Sequence, residues 1–485
     1  MDSALPPRRG LVVVDLDGTL VATDTLWESL LLLLRKRPLA ALAAPLWALR
    51  GRAHFKARVA AEVCPDARTL PYREAVLERI HALRASGAET WLATAANEVV
   101  ANAVAEHLAC FDEVIASDAH SNRRGESKLA AVTRAAGDRP FLYVGNAVAD
   151  LPLWERASEA ACVAASPGAR RGLSQRGIQA DVWVPSERGA NAWLRSLRPH
   201  QWSKNALLFA PLALAHDVTD TDALVRVAIA FVCFCAVASA TYLLNDLLDL
   251  ESDRVHPSNR QRPLAAGDFA IPAALATAAS LAVAGFALSA CLLGAATTWM
   301  LAIYFALTTA YSLWLKEKLF IDVLLLAGLY TQRVLTGAVA APVEASTWLL
   351  AFSLFFFLGL ALVKRYVELL QIREESSGRN ARRAYRVSDI SLIETMGLAS
   401  GYVSILVLGL YVSSESVTRL YARPEALWLI SPLMLFWISR MWFLARRGQL
   451  DADPVLFATT DRASYLCGLC ILAIGLLAST GVASG

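Results

Sequence analysis

Two stretches place acids at spacings that can do chemistry. In GLVVVDLDGTL, Asp15 and Asp17 close the apolar run that begins at Leu11. Residues two apart at a strand end point the same way, so one carboxylate can attack while the other exchanges protons. The second stretch, NDLLDLESDRVHPSNRQRPL, runs from Asn245 to Leu264 and ends an apolar run that starts near Ala223. Asn245, Asp249 and Asp253 recur every fourth residue, which aligns their oxygens on one helix face with Asp246 beside them. Carboxylates in such a row repel one another unless a cation sits among them. Hard oxygen donors with room for water suit Mg²⁺ bridging to substrate phosphates, and Arg260 and Arg262 can hold the remaining phosphate oxygens. The plainer alternative is a solvated loop that merely ends a transmembrane helix. Such a loop needs neither a helical register nor an Asn inside the apolar end.

The elements that must position these groups follow from the distribution of apolar residues. The chain has 485 residues, 56% hydrophobic and 18% charged, too long for one ordinary domain and too apolar for a soluble protein. Up to about residue 195 it reads as soluble, and the junction is expected around Glu187 to Pro199. Beyond it, apolar stretches fall at 204–217, 223–247, 270–293, 297–315, 320–341, 346–364, 394–413, 424–442 and 463–482, predicting about nine membrane helices with a short first one. Lys and Arg gather in alternate connections: Arg198 and Lys204, Arg254 to Arg262, Lys316 and Lys318, Lys364 to Arg386, and Arg446 to Arg462. The positive-inside rule makes those connections cytoplasmic and the C-terminus extracytoplasmic. The N-terminus shows no apolar signal region, so the soluble part is expected uncleaved in the cytoplasm, attached to the inner membrane.

A net charge of +3 and the lack of a basic tract set nucleic acid aside as a partner. The eight cysteines are scattered, with Cys467 and Cys470 inside an apolar segment, so no structural disulfide is expected.

NDLLDLESD resembles the NDxxDxxxD signature of the UbiA superfamily of membrane prenyltransferases, over residues 198 to 482. RPHQWSKN (198–205), HPSNRQRPLAAG (256–267), YSLWLKEKLFIDVLLLAGLYTQRVLTGAVA (311–340) and KRYVEL (364–369) are similar to the branch typified by decaprenyl-phosphate phosphoribosyltransferase. That resemblance implies a nine-helix bundle that binds a diphosphate through Mg²⁺ and transfers phosphoribose from phosphoribosyl pyrophosphate to a polyprenyl phosphate. Two features bear on the choice within the superfamily. Prenyltransferases acting on aromatic acceptors commonly carry a second aspartate-rich motif, whereas this chain offers Asp322 with Lys316 and Lys318 before it. Where the branch often shows HPxKxxRP, this chain has Asn259, and Arg260 can supply the missing charge. Lys204, Arg260, Arg262, Lys316 and Arg365 are the candidate phosphate holders, each also readable as a positive-inside anchor. Asp322 lies inside an apolar run, which favours a functional role. Lys364 and Glu368 can pair one helical turn apart, and Tyr366 can be an interfacial aromatic.

DLDGT resembles the signature of haloacid dehalogenase-like phosphatases. The resemblance implies a doubly wound α/β fold with a helical cap, Asp15 as nucleophile, Asp17 as general acid/base and Mg²⁺ between them. It further implies Thr94 in TWLATAAN as a hydrogen-bond partner of the transferred phosphoryl group and Lys128 in GESKLAAV as the balancing cation. Asn146 and Asp150 in VGNAVAD fall where the family places two acids. Asn146 departs from that pattern; an amide oxygen still ligates Mg²⁺ but removes a negative charge.

The expected organisation is therefore a phosphatase domain over residues 1–190 with a cap at about 22–88, a linker or interfacial segment at 191–203, and a membrane transferase at 204–485. The cap carries LWESLLLLLRKRPLAALAAPLWALRGRAHFK, too interrupted by Arg35, Lys36, Arg37 and Pro38 to span; its leucines, Trp27 and Trp47 suit a hairpin lying on the membrane face. The implied function is bifunctional: phosphoribosyl transfer to the lipid, then removal of the 5-phosphate. The rival is a prenyltransferase joining an isoprenyl diphosphate to an aromatic or other acceptor beside a silent phosphate-binding module. Either reading leaves room for a homo-oligomer.

Overall fold

The computed structural model describes residues 10–186, 190–215, 219–344, 346–374, 384–450, 454–458 and 460–479. They form two compact units, one of residues 1–198 with Tyr242–Ala278, the other of Pro199–Thr241 with Ala279–Gly485. The expected boundary near 190–204 thus misses one exchange: the acidic segment after Tyr242, anticipated with the membrane half, packs with the N-terminal unit. The start of the expected junction, 187–189, lies outside the described residues.

The N-terminal unit is built on six parallel strands: β1 (Leu11–Val14), β2 (Glu89–Asn97), β3 (Glu113–Ser117), β4 (Phe141–Gly145), β5 (Glu159–Val163) and β6 (Ala180–Val184). Their order is β3-β2-β1-β4-β5-β6. Strand β1 is LVVV because it is buried on both faces. Leu11 and Val13 enter one apolar layer with Trp91 and Tyr143, while Val12 and Val14 enter the other with Leu92 and Val144. The order reverses at β1, which has β2 on one side and β4 on the other. A doubly wound sheet opens a crevice at the carboxyl ends of the strands at that point.

Helices Thr25–Lys36, Pro38–Ala41, Ala44–Leu49 and Arg52–Glu62 form the cap between β1 and β2. The helix Glu74–Ala85, expected within the cap, instead covers the sheet, because Val76, Ile80 and Leu83 fall on one helical face and bury there.

Among the described residues, seven helices are long and apolar enough to cross a membrane: Thr221–Leu248, Ile271–Leu292, Ile321–Ala340, Thr347–Arg373, Val387–Val412, Pro424–Arg446 and Arg462–Ser479. Ala295–Leu313 adds a helix of 19 residues diluted by threonines and aromatics. The expected short first span is a 3₁₀ helix, Pro199–Phe209, continued by Ala210–Leu214, and residues 216–218 of that stretch lie outside the described residues. The protein is integral to the membrane. In the second unit, Thr347–Glu374 and Ile390–Val412 pack backbone to backbone: a Cβ on Gly359 would lie 3.3 Å from Gly401 N. Glycine is what permits that approach. All eight cysteines are free.

Candidate active site

The crevice at the reversal of the sheet gathers residues from three chain segments. Asp15 follows β1, Asn146 and Asp150 follow β4, and Lys128 comes from the first turn of helix Glu126–Ala136. Lys128 Nζ donates to Asp15 Oδ1 at 2.8 Å, to Asp150 Oδ1 at 3.1 Å and to the Tyr143 hydroxyl at 3.0 Å. Burial opposes the charge on Lys128, but the carboxylates of Asp15 and Asp150 hold its pKa above the ordinary value. Asp150 accepts at every position: Oδ1 from Lys128 and Tyr143, Oδ2 from the backbone N–H groups of Asn146 (3.0 Å) and Ala147 (2.9 Å). Burial works against this carboxylate, yet Lys128 and those donors keep its pKa low.

Burial pushes Asp15 up to about 6, against the pull of Lys128. Burial and the neighbouring Asp24 push Asp17 up to about 7, although its Oδ1 accepts from Thr25 N at 2.8 Å. Gly18 sits at φ +75°, and a Cβ there would lie 2.0 Å from Asn146 Nδ2, so glycine lets the loop after β1 close on the amide. Thr94 is fully buried, its Oγ accepting from Ala96 N at 3.0 Å, so the crevice is walled by Ala95, Ala96 and Asn97 rather than by this hydroxyl.

Above these groups lies a cavity of about 610 Å³. Its walls come from the loop after β1, from the cap (Arg52, Phe55, Lys56) and from Gly267 with Phe269–Pro272, which lead into and open spanning helix Ile271–Leu292.

The acidic row keeps its helical register through the end of Thr221–Leu248: Asp249 N donates to Asn245 O at 2.9 Å and Asp253 N to Asp249 O at 2.8 Å. Its repulsion is relieved by arginine. Asp246 Oδ1 meets Arg198 at 2.5 Å and Arg262 at 3.3 Å, and Asp253 meets Arg262 at 2.6 Å. Asn259 donates to Asp253 Oδ1 at 3.0 Å, so the residue standing where the branch often has lysine supports the row itself. Burial, then Asp246 and Asp249, raise the pKa of Asp253 despite Arg262. Arg260 is exposed on the turn after the row.

In the second unit, Asp322 is wholly buried, Oδ2 at 2.6 Å from Arg365 Nε and Oδ1 at 2.6 Å from the Tyr385 hydroxyl. Arg365 also pairs with Glu368 and reaches the Tyr311 hydroxyl. Asp322 and Glu368 therefore hold the Arg365 guanidinium from two sides. Tyr366, expected at the interface or on substrate, is instead in the bundle core, edge-on to Trp442, because helix Thr347–Glu374 turns that position inward. Lys204, Lys316 and Lys364 are half-buried.

Residues 206–460 match the UbiA prenyltransferase family, and residues 12–155 match haloacid dehalogenase-like hydrolases. The chain is 34% identical over 97% of its length to protein y4nM of Sinorhizobium fredii, covering 91% of that protein. The chain belongs to the UbiA prenyltransferase family. Its N-terminal unit makes it a fusion of a UbiA transferase with a haloacid dehalogenase-like phosphatase domain. Over 59% of the chain it is 34% identical to the nodulation protein NoeC of Azorhizobium caulinodans, covering 92% of it. Over 48% it is 36% identical to the decaprenyl-phosphate phosphoribosyltransferase of Corynebacterium glutamicum, covering 71%.

Both families generally depend on Mg²⁺. In the phosphatase-type centre the donor set fits such an ion: Asp15 and Asp17 offer carboxylates, and Asn146 Oδ1 is buried without a hydrogen-bond partner. Asp150, with its acceptor positions taken, holds Lys128 and the Asn146 loop in place. The UbiA acidic row offers hard oxygen donors at Asn245, Asp246, Asp249 and Asp253, and Arg198 and Arg262 pair with Asp246 and Asp253.

Sequence reasoning passed over several residues of this UbiA chain. Its place in a basic connection marks Arg198 only as a topological anchor, and Tyr385 and Tyr143 carry no signal in spacing. Arg333 lies inside an apolar helix, which was a usable signal. Its guanidinium donates to Asn205 Oδ1, Leu329 O and the Tyr304 hydroxyl at 2.8–3.0 Å.

Proposed function

We propose that this chain performs two consecutive steps on one lipid: transfer of 5-phosphoribose from phosphoribosyl pyrophosphate to a polyprenyl phosphate, then removal of the 5-phosphate. The observation that carries the reading is the cavity over Asp15 and Asp17, walled in part by Gly267 and Phe269–Pro272, at the threshold of a spanning helix. A phosphatase centre so bounded suits a substrate carried in the membrane. Arg52, Lys56 and Arg124 on its wall suit a substrate with a second phosphate besides the one removed. Similarity to the Corynebacterium phosphoribosyltransferase supports the first step.

In the first step a phosphate oxygen of the lipid attacks the anomeric carbon as its bond to pyrophosphate breaks, and pyrophosphate leaves with the bonding pair. Asn245, Asp246, Asp249 and Asp253 would hold a Mg²⁺ that would supply charge neutralisation to the departing diphosphate, and Asp15, Asp17 and Asn146 one that would do so for the transferred phosphoryl group. Arg260, Arg262, Lys204, Lys316, Lys364 and Arg365 are the cations for the phosphates, Arg365 oriented by Asp322 and Glu368. In the second step Asp15 Oδ attacks phosphorus and Asp17 protonates the leaving ribose oxygen. Asp17 then takes a proton from the water that hydrolyses the aspartyl-phosphate, and phosphate leaves. Lys128 holds the Asp15 carboxylate throughout. The basic connections, by the positive-inside rule, support a cytoplasmic location for both steps.

The family takes its name from prenyl transfer, so the test offers both donors. Purified protein in polyprenyl-phosphate vesicles with Mg²⁺ receives either labelled phosphoribosyl pyrophosphate or a labelled isoprenyl diphosphate with an aromatic acceptor. Label entering the polyprenyl phosphate from the first supports the proposal; label moving only from the second overturns it.

A further inference from the structure

The cap carries a surface that neither proposed step uses. Leu39, Leu46 and Leu49, on the short helices Pro38–Ala41 and Ala44–Leu49, and Leu42, in the turn between them, are 65–83% exposed. The same hairpin is fixed from inside: Ala40, Ala41 and Trp47 pack on Leu32, Leu33 and Val59, and Arg58 stacks over the Trp47 ring. Trp47 is thus an internal anchor, and the leucines are what the hairpin presents outward. Arg35, Lys36 and Arg37 precede it and Arg50 and Arg52 follow it, each exposed. An apolar face rimmed by cations is the pattern of an element lying in an anionic lipid interface.

Two contacts within the N-terminal unit set its level. Arg35 Nη1 reaches the carbonyl of Leu248, the last residue of spanning helix Thr221–Leu248. At the cap's root, Ala22 packs on Gly267 so closely that a Cβ there would lie 2.5 Å from it, four residues before spanning helix Ile271–Leu292. The hairpin is therefore tied beside the points where the chain leaves and re-enters the membrane.

We infer that Pro38–Leu49 inserts its four leucines into the surface of the phospholipid bilayer, its flanking arginines and lysine meeting anionic headgroups. The segment is too short to span, so it lies in the interface. The next helix, Arg52–Glu62, carries Arg52, Phe55 and Lys56 of the cavity wall. Insertion holds that wall at headgroup level, where a lipid-borne phosphate can enter without leaving the membrane. The inference rests on membrane attachment and not on the identity of the donor or of the lipid.

The test uses the full chain in nanodiscs of phosphatidylcholine and phosphatidylglycerol, with Cys291→Ser to remove the exposed thiol. Leu42→Cys and Leu46→Cys are labelled with an environment-sensitive fluorophore. Asp138→Cys, exposed just before β4 at the amino ends of the strands, opposite the crevice, is the control. Both leucine sites should emit blue-shifted light, be quenched by nitroxide on the lipid chains and be shielded from iodide, with the control showing the reverse. Iodide quenching of Leu42→Cys and Leu46→Cys equal to the control overturns the inference. These readouts need no turnover, so a wrong donor assignment leaves them unchanged, and their failure leaves that assignment standing. Leu42→Asp with Leu46→Asp, at exposed positions that keep the fold, should lower turnover of membrane-borne phosphate while sparing a soluble phosphate monoester. Equal loss on both substrates also counts against insertion.

Discussion

The Glu28 carboxylate closes on the Arg254 guanidinium with Oε1 2.6 Å from Nη2, both side chains more than nine-tenths buried. It joins the first cap helix to the acidic segment through a second contact, Oε2 to Nη1 at 3.2 Å. Removing either partner alone strands a buried charge, at a cost of about 3–5 kcal/mol, whereas replacing both together leaves none. Glu28→Gln and Arg254→Met should each lower the apparent unfolding temperature of the N-terminal unit by more than the double variant does. Additive losses would mean that the pair is not coupled.

Asp15 and Asp17, the two acids after β1, set a pH dependence for metal binding. With folded pKa values of about 6 for Asp15 and about 7 for Asp17 against an ordinary 3.8, the fold holds their protons more tightly than the unfolded chain does. Metal-free stability therefore falls as pH rises from about 4 to about 7. Mg²⁺ needs the ionised forms, so its stabilising effect grows over the same window. Thermal unfolding with and without Mg²⁺ should show a clear upward shift at pH 7.5 and little at pH 5. Equal shifts at both would contradict this arrangement.

Asn146 supplies a neutral oxygen where an acid would add charge. Asn146→Asp should lower the Mg²⁺ concentration for half-maximal phosphatase activity on the order of tenfold, because ligand charge tunes affinity. A Mg²⁺ titration that superimposes on wild type would remove Asn146 from the metal's surroundings.

In the membrane unit, Asp322→Asn removes the charge that orients Arg365 and should reduce lipid glycosylation on the order of a hundredfold, the scale of a misplaced binding group. Phosphatase turnover of a soluble ester should not change. Tyr366→Phe, in the core against Trp442, should leave glycosylation near wild type; a loss matching that of Asp322→Asn would return Tyr366 to the substrate.

What the sequence made legible was local. DLDGT after an apolar run located the crevice, since strand periodicity fixes where Asp15 and Asp17 stand. The four-residue spacing from Asn245 to Asp253 gave the helix face, since helical periodicity is equally local. Partners remote in the chain left no such trace: Glu28 and Arg254 are 226 residues apart, Tyr385 and Asp322 63, Arg333 and Asn205 128. For the same reason the arginine that shares the charge of the acidic row left no trace: Arg198 lies 48 residues before Asp246. The 3₁₀ turns of the first apolar stretch, Pro199–Phe209, were not legible because apolar length does not distinguish a 3₁₀ helix from an α-helix.

The central claim is that one chain makes the phosphoribosyl lipid and then dephosphorylates it. Its most direct test is mass spectrometry of the lipid after incubating wild type and Asp15→Asn with polyprenyl phosphate, phosphoribosyl pyrophosphate and Mg²⁺. The account predicts ribosyl lipid from wild type and phosphoribosyl lipid accumulating with the variant. Unmodified lipid from both proteins, or the same phosphorylated product from both, would contradict it.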